Sequence, residues 1–329
     1  MKFAHPIALA LAGAAMLAYP ALAQDVTISV GFGPVIDTPY GQGHVKWQRL
    51  LEEKSGGSME LEIFPSDQLG NGKQMLDQML LGEPLCYSTD ASFFAELGVP
   101  DMSIVQAPFL FESWDQAERL FDSDWWASLE DQLAAKGVKV VAHNWRYGER
   151  QTLTNVLVEH PADFAGLKIR APQAAIYVKT FEHLGASPTP MALAEVYTSL
   201  QQGVIDGLEN PLSVIHGGKY QEAAKFLLID NHMRTVNLMG CSTALYDSLT
   251  PEQQALLSET AREAGAYQNG LLEASNEEVL AQLVAEGVTV TEADFQEFAA
   301  AVESFYNDPA FSGWSEGLHQ KVLDIMNAE

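Results

Sequence analysis

The stretch VTISVGFG (residues 26–33) is rich in β-branched residues and predicts a strand. Residues 45–51 (VKWQRLL) then carry their apolar side chains on one helical face. Residues 59–64 (MELEIF) alternate apolar and acidic side chains as a half-buried strand does, 74–81 are helical in pattern, and 85–88 return to a strand. This β-α-β-α-β order predicts an α/β fold with a mostly parallel sheet and helices packed against it.

A second α/β pattern follows in the rest of the chain. A strand is predicted at 138–142 and another in GLKIR (166–170), with helices over 174–184 and 194–202. Thr250, Pro251 and Gln253 form a helix-start signature, and the helical pattern beyond them extends towards residue 287. No flexible linker separates the two patterns, so we expect two packed α/β lobes with a ligand cleft between them.

The charge of the chain excludes one large class of partners. The 329 residues include 44 acidic and 18 basic side chains, for a net charge of −26. Nucleic acids and anionic membrane surfaces are bound by broad basic faces, which this composition cannot build. Hydrophobic residues make up 47%, enough for a large buried core. A soluble protein that does not bind nucleic acid is therefore expected.

The first 23 residues have the pattern of a cleavable signal peptide. Lys2 precedes an apolar run from Ile7 to Tyr19, and Ala21-Leu22-Ala23 forms a cleavage site before Gln24. The run is rich in Ala and Gly and falls short of the ~20 apolar residues that a spanning helix needs. We therefore predict a signal peptide over 1–23 and a mature protein in the periplasm.

Two cysteines, Cys86 and Cys241, leave two alternatives open. Both lie in apolar, strand-like segments, where a free cysteine packs as a small buried hydrophobe. An exported protein can also pair them in a disulfide. The sequence interpretation favours two reduced thiols.

Known catalytic motifs are missing from the sequence. It contains no dinucleotide-binding or Walker-type glycine loop, no G-x-S-x-G elbow and no H-E-x-x-H motif. The eight histidines show no metal-ligand spacing. Asp101, Asp90 and Glu209 could form an acid/base pair, although 44 carboxylates make such coincidences common. We predict no catalytic residue, no cofactor and no metal site, with a secreted hydrolase as the alternative.

Two arginines near predicted strand ends are candidates for ligand binding. Arg150 follows one strand and Arg170 ends another. Ligands of α/β proteins are usually met at strand ends, and a guanidinium can hold a carboxylate through two parallel hydrogen bonds. The alternative is an ordinary surface ion pair with a nearby carboxylate.

Long motifs in the second half of the chain carry a family resemblance. They are GLKIR (166–170), GASPTPM (185–191), EVY (195–197) and LQQGVIDGLENP (200–211). With EKSGG, IFPS, QLGN and APFLF upstream, the whole mature chain closely resembles the DctP-type solute-binding proteins of tripartite ATP-independent periplasmic (TRAP) transporters. An ABC-type periplasmic receptor is the alternative among binding proteins, and the motifs argue against it.

The resemblance implies a periplasmic-binding-protein-like fold of two lobes, joined by crossing strands and a long helix. One lobe would comprise 24–147 and 236–275, and the other 148–235 and 276–329. The implied function is to capture a small organic acid and deliver it to the small and large membrane subunits of a TRAP permease. A sugar-acid or uronate-like monocarboxylate is favoured, with a C4-dicarboxylate next. We expect a monomer.

The resemblance also implies roles for individual residues. The main arginine that binds the ligand carboxylate in this family corresponds to Arg170, a second supporting arginine to Arg150, and the asparagine of the Glu-Asn-Pro motif to Asn210. In the sialic-acid-binding branch, an aromatic residue stands at the position of Leu193, which argues against sialic acid here.

The same branch has a glutamate at the position of Asp90 and an asparagine at that of Gln173. Other polar or aromatic residues near the expected pocket could contact the ligand or could simply pack or cap: Tyr40, His44, Trp145 and His232.

Overall fold

A computed structural model describes residues 26–328; the predicted signal peptide lies outside the described residues. The described chain contains one sheet of nine strands. The strands are β1 (Val26–Phe32), β2 (Met59–Phe64), β3 (Leu85–Asp90), β4 (Val138–Thr154), β5 (Ile169–Ala171), β6 (Thr189–Pro190), β7 (Gly207–Pro211), β8 (Phe226–Ser242) and β9 (Thr289–Glu292).

Helices connect and cover these strands, as the sequence pattern predicts. They are α1 (Pro39–Ser55), α2 (Gly72–Leu80), α3 (Ala91–Ala95), α4 (Trp114–Phe121), α5 (Asp124–Ala134), α6 (Ala175–His183), α7 (Val196–Gln201), α8 (Leu212–Gly217), α9 (Thr243–Ser248), α10 (Pro251–Ala285), α11 (Phe295–Ala301) and α12 (Leu318–Met326). Within residues 26–328, no helix is both long and apolar enough to cross a membrane.

The sheet is mixed: five of its eight strand pairings are parallel, and the three pairings that involve β8 with β3, β8 with β4 and β4 with β7 are antiparallel. Its order is β2-β1-β3-β8-β4-β7-β5-β6, with β9 paired to β8. β1 pairs in parallel with β2 and β3, as the opening β-α-β-α-β pattern predicts. β8, however, runs antiparallel to both β3 and β4, and β4 runs antiparallel to β7. These antiparallel partners are far apart in sequence, so no local pattern reveals them.

β4 and β8 join two halves of the sheet. Each is 17 residues long. Near one end of the pair, Val138 pairs with Ser242, and β8 also pairs with β3 on its other side. Near the other end, Thr154 pairs with Phe226, and β4 also pairs with β7 on its other side. Several shifts of register interrupt the β4–β8 pairing. The two long strands therefore belong to both lobes of an α/β fold.

Gly148 lies in β4 between the two halves. Its φ is +132°, and a Cβ there would approach the Cβ of Pro211 to 2.9 Å. Only glycine suits both the backbone conformation and this close approach. The shift of register between Arg146 and Gly148 therefore lies at a position where a side chain would not fit.

The long helix α10 begins where the sequence predicts. The Thr250 side chain accepts from the main-chain N–H of Gln253, whose side chain accepts from the main-chain N–H of Thr250. This capping box starts an unbroken helix of 35 residues that packs against α1, β4 and α8. It thus contacts elements on both sides of the crossing strands.

The two cysteines are joined in a disulfide, so the interpretation as reduced thiols is wrong. Cys86 of β3 and Cys241 of β8 are register partners on adjacent antiparallel strands. Their Cα atoms are 3.9 Å apart, and both side chains are buried. The sequence could not show this because the pairing depends on β8 lying next to β3.

Candidate ligand-binding site

Arg170 is a buried guanidinium without a carboxylate partner. It lies in β5 and is only 4% exposed. Its Nε and Nη2 donate to the carbonyl oxygen of Met191, at 3.1 and 2.9 Å. Within residues 26–328, no carboxylate comes within ion-pair distance, and burial lowers the pKa of Arg170. Since a buried charge is costly unless it is paired, this guanidinium is ready to accept an anion.

Asn210 places a second free donor on the same side of the sheet. It stands two residues beyond Leu208, the register partner of Arg170, so the two side chains share a face. Its Oδ1 accepts from the Tyr147 hydroxyl at 3.3 Å and from Arg150 Nη2 at 3.2 Å. Its Nδ2 is buried and has no partner in the described chain. The orientation of Asn210 is therefore fixed, with its amide N–H groups left available.

Arg150 lies inside β4, where it pairs with Pro211 of β7, and not after a strand end as the sequence suggested. Its Nε and Nη2 both donate to the carboxylate of Glu209, with Nη2 at 2.8 Å from Oε1. Both side chains are buried. Burial alone would raise the pKa of Glu209, but Arg150 and His232 lower it to about 2. The charge of Arg150 is thus already balanced within the protein.

His232 extends this buried network. Its Nε2 lies 3.3 Å from Glu209 and its Nδ1 lies 3.0 Å from Asp230, which also accepts from Thr152 at 2.7 Å. Burial alone would lower the pKa of His232, but the carboxylates of Asp230 and Glu209 raise it to about 9. Two cations and two anions therefore cancel, whereas the buried Arg170 has no direct counter-charge among residues 26–328.

A cavity of about 80 Å³ lies beside Arg170, between the two halves of the sheet. This volume is several times the roughly 10–15 Å³ that admits a single water, so the cavity can take up small polar groups of a solute. Its polar wall residues come from both halves: Asp67, Asn71, Tyr87, Ser88, Thr89, Arg170, Gln173 and Asn237. Gln173 and Leu193, both predicted from the family resemblance, are also in the wall.

The sequence interpretation missed six polar residues of this wall: Asp67, Asn71, Tyr87, Ser88, Thr89 and Asn237. Asp67 and Asn71 lie in the loop after β2, and Ser88 lies near the end of β3. Ligands of parallel sheets bind beyond the carboxyl ends of the strands, and this rule would have indicated all three. Asn237 lies in β8, whose position next to β3 had no local signal.

Tyr40 lies behind the cavity wall. Its hydroxyl is hydrogen-bonded to Ser88 and accepts from Asn237 Nδ2 at 2.7 Å. Because Ser88 and Asn237 both line the cavity, Tyr40 holds two wall residues in place. It is not itself in the wall.

The wall also does not include the other predicted residues, which are Arg150, Asn210, His232, Asp90, His44 and Trp145. His44 stacks on Phe32 at 3.9 Å between ring centroids, and burial lowers its pKa to about 3. Trp145 Nε1 donates to the carbonyl of Ala261 at 2.9 Å. These two residues pack in the core of the half that contains α1 and α10.

Asp90 also has a structural role. It caps α3 by accepting from the Ser92 N–H at 2.9 Å, and its second oxygen accepts from the Tyr177 hydroxyl at 2.9 Å. Burial raises its pKa.

A larger groove elsewhere, of about 890 Å³, is less suited to an acid. It is bounded by residues around α11 and α12, and its walls contain Glu112 and Glu303 but neither Lys nor Arg. Groups of three or more His, Cys, Asp or Glu that could hold a metal ion are absent from the described chain. The small cavity at Arg170 is therefore the best candidate site for an anionic ligand.

Known proteins are similar to this chain in sequence and in fold. The sequence profile of the family described as bacterial extracellular solute-binding protein, family 7 (DctP) matches residues 35–311. The 2,3-diketo-L-gulonate-binding periplasmic protein of Escherichia coli is 34% identical over 265 residues, which cover 80% of each chain. The C4-dicarboxylate-binding periplasmic protein of Rhodobacter capsulatus is 30% identical and covers 95% of this chain and 91% of its own length.

Solved structures show the same architecture. A TRAP periplasmic solute-binding protein from Ochrobacterium anthropi with bound L-fuconate superposes with a TM-score of 0.89 at 34% identity, covering 92% of this chain and all of that chain. A protein of the same description from Actinobacillus succinogenes with bound L-galactonate gives a TM-score of 0.88 at 33% identity, with coverages of 91% and 99%.

Proposed function

We propose, from the premise that the chain belongs to the DctP family of bacterial extracellular solute-binding proteins (family 7), that it captures a small organic acid and delivers it to the membrane permease of a TRAP transporter. The observation that carries the proposal is Arg170, a buried guanidinium at the wall of a small cavity with no carboxylate partner among residues 26–328. A ligand carboxylate would supply the missing counter-charge.

The geometry of Arg170 limits how the carboxylate binds. A guanidinium has five N–H donors, and two of them are used on Met191, which leaves three, at Nη1 and Nη2. The ligand would therefore be held by the Nη1–Nη2 edge of the fork. Asn210 would donate from Nδ2 beside it. Arg150 would act mainly by orienting Asn210, because its own charge is balanced by Glu209.

The chemical class of the ligand follows from the cavity and the relatives. Relatives bind 2,3-diketo-L-gulonate, C4-dicarboxylates, L-fuconate and L-galactonate. Ser88, Gln173 and Asn237 can form hydrogen bonds with hydroxyl groups. A sugar-acid monocarboxylate is thus favoured over a C4-dicarboxylate. Leu193, which takes the place of the aromatic residue of sialic-acid binders, argues against sialic acid.

Binding would close the cavity between the two lobes and would involve no chemical reaction. Wall residues from both halves of the sheet would contact the ligand, so the closed state would be favoured by contacts on both sides. We propose that the lobes comprise 24–147 with 236–275 and 148–235 with 276–329, and that the mature protein acts in the periplasm as a monomer.

A thermal-shift screen with matched ligands tests this function. Each acid is paired with its neutral counterpart, for example galactonate with galactitol. A ligand that binds only the native state stabilises it by about 4 kcal/mol at 1,000 times its Kd. We expect acids to raise the melting temperature and neutral counterparts to leave it unchanged. Stabilisation by neutral sugars but by no carboxylate would exclude the proposal.

A second measurement separates binding from catalysis. A secreted hydrolase would convert the acid that it binds. Mass spectrometry of the ligand recovered after overnight incubation should return the unchanged acid, whereas a product would favour the hydrolase.

A further inference from the structure

The cavity wall contains one anionic side chain that the proposed function does not use. Asp67 and Arg170 are the only wall residues with formal charge. Asp67 lies in the loop after β2, where its main-chain N–H donates to Phe32 at 3.2 Å. A Cβ added to Gly33 would lie 3.4 Å from Asp67 Oδ1 and also 3.4 Å from Leu193 Cδ2. Asp67 and Leu193, which belong to opposite lobes, thus approach the same point. The carboxylate therefore stands where the two lobes meet.

From this arrangement we infer that Asp67 is a specificity-determining residue. Its carboxylate makes the cavity reject acids with a second carboxylate, and it accepts a hydrogen bond from a ligand hydroxyl instead. The inference rests on the proposed function, because it requires that Arg170 binds the first carboxylate.

The charges around the cavity explain the selectivity. One carboxylate on the ligand uses Arg170, and Arg150 is already paired with Glu209. A second carboxylate would find no cation in the wall and would meet the charge of Asp67 in a water-poor space, where like charges repel strongly. A hydroxyl at the same place could donate to Asp67 and form a charge-assisted hydrogen bond.

The ionisation of Asp67 agrees with this role. Burial raises the pKa of its carboxyl group to about 6, while Arg170 and the main-chain N–H of Ala194 act in the opposite direction. The other titratable groups coupled to it are the hydroxyls of Tyr87 and Tyr220, whose pKa values are raised by burial. At neutral pH the two tyrosines are therefore neutral and Asp67 is ionised, so Asp67 is the negatively charged side chain that faces Arg170.

Calorimetry with two pairs of acids tests the inference. Galactonate and galactarate differ only in one terminal group, which is a hydroxymethyl group in galactonate and a second carboxylate in galactarate. Threonate and tartrate differ in the same way. For the wild-type protein we expect the better-bound monoacid to bind at least 100-fold more tightly than its diacid. In Asp67→Asn we expect this ratio to fall at least 10-fold, through a gain in affinity for the diacid.

The substitution should fold, because Asp67 has a φ of +55° and asparagine tolerates this left-handed conformation well. Ligand-free melting curves check this, and Asp67→Ser serves as a second variant. Asp77→Asn is the matched control, since it removes one negative charge from an exposed position on α2. Its monoacid-to-diacid ratio should equal that of the wild type.

Three outcomes would overturn the inference: equal wild-type affinities for monoacid and diacid, an unchanged ratio in Asp67→Asn, or no binding of either monoacid. In each case the proposed function still stands if some other carboxylate binds and Arg170→Ala abolishes that binding. The proposed function itself fails if no carboxylate binds, or if Arg170→Ala binds as the wild type does.

Discussion

Replacement of Arg170 is the most direct test of the site. Arg170→Ala removes the cation that would hold the ligand carboxylate, and Arg170→Lys keeps the charge but loses the planar fork. The side chain is 4% exposed, so a bound carboxylate would be almost completely removed from water. Each substitution therefore probes a desolvated interaction, and the effects should be large.

The structure sets the expected magnitudes. Truncation of one partner of a buried, hydrogen-bonded charge pair costs about 2–5 kcal/mol, which corresponds to a Kd weakened roughly 30- to 5,000-fold. Lysine loses at least one charge-assisted hydrogen bond, worth about 1.5–3 kcal/mol, or roughly 10- to 150-fold in Kd. Arg170→Ala also leaves the Met191 carbonyl without two donors, so the stability of each variant must be measured separately.

Isothermal titration calorimetry with the acid that gives the largest thermal shift measures these effects. Arg119→Ala is the matched control: Arg119 Nε donates to the Met326 carbonyl at 2.7 Å, but the residue is not in the cavity wall. It should lose stability without loss of affinity. Wild-type affinity in a folded Arg170→Ala protein would refute the assignment of the carboxylate site.

Other parts of the site give further predictions. Asn210→Asp replaces a free amide donor with an anionic oxygen and should weaken ligand binding at least 10-fold by calorimetry; equal affinity would remove this residue from the site. Arg150→Ala removes the two-pronged partner of the buried Glu209 carboxylate and leaves it only His232, so it should lower the free energy of unfolding by about 3–5 kcal/mol in urea titrations; an unchanged midpoint would contradict the pairing. Reduction of the Cys86–Cys241 disulfide should lower the free energy of unfolding by about 2–5 kcal/mol, so dithiothreitol should lower the melting temperature of the wild type. Dithiothreitol should not change the melting temperature of a variant in which both cysteines are replaced by serine. The folded-state pKa of His232, about 9, exceeds the unfolded value of 6.5, so its stabilising ion pairs are complete below pH 6.5 and are lost as the pH rises through 9. Unfolding titrations of His232→Gln should lack this decline.

Local pattern was enough to predict the elements at the start of the chain. The strand over 26–33 and the strand over 59–64 were predicted from alternation and β-branching, and both occur as parallel partners. The capping box at Thr250 fixed the start of α10 to the residue. Such features depend on neighbours within a few positions, and the sequence contains that information directly.

Pairing between distant segments could not be predicted in the same way. Cys86 and Cys241 are 155 residues apart, and their disulfide follows only from the register of β8 against β3. Asn237 enters the cavity wall through the same register. The antiparallel pairings of β4 and β8 could not be read from the first 90 residues because they depend on long-range partners.

Two different kinds of information in the sequence led to the candidate site. The chemistry of a guanidinium near a strand end suggested Arg170, and the family motif added Asn210. Neither suggested Asp67, because one aspartate among 44 acidic residues is not distinctive until the fold brings it to the cavity. The pairing of Arg150 with Glu209 was also invisible, since it requires β4 and β7 to be adjacent.

The position of β8 also governs the order in which this chain can acquire its structure. β8 is inserted between β3 and β4, so the sheet cannot join its halves until residues 226–242 are available. Until then the side of β3 that will pair with β8 has no strand partner, although all six residues of β3 are buried in the finished protein. A chain that emerges with its amino terminus first therefore cannot complete either lobe until its last third, which contains β8, has also emerged. A fragment that ends at residue 154 should aggregate, whereas the full chain should fold in one cooperative step.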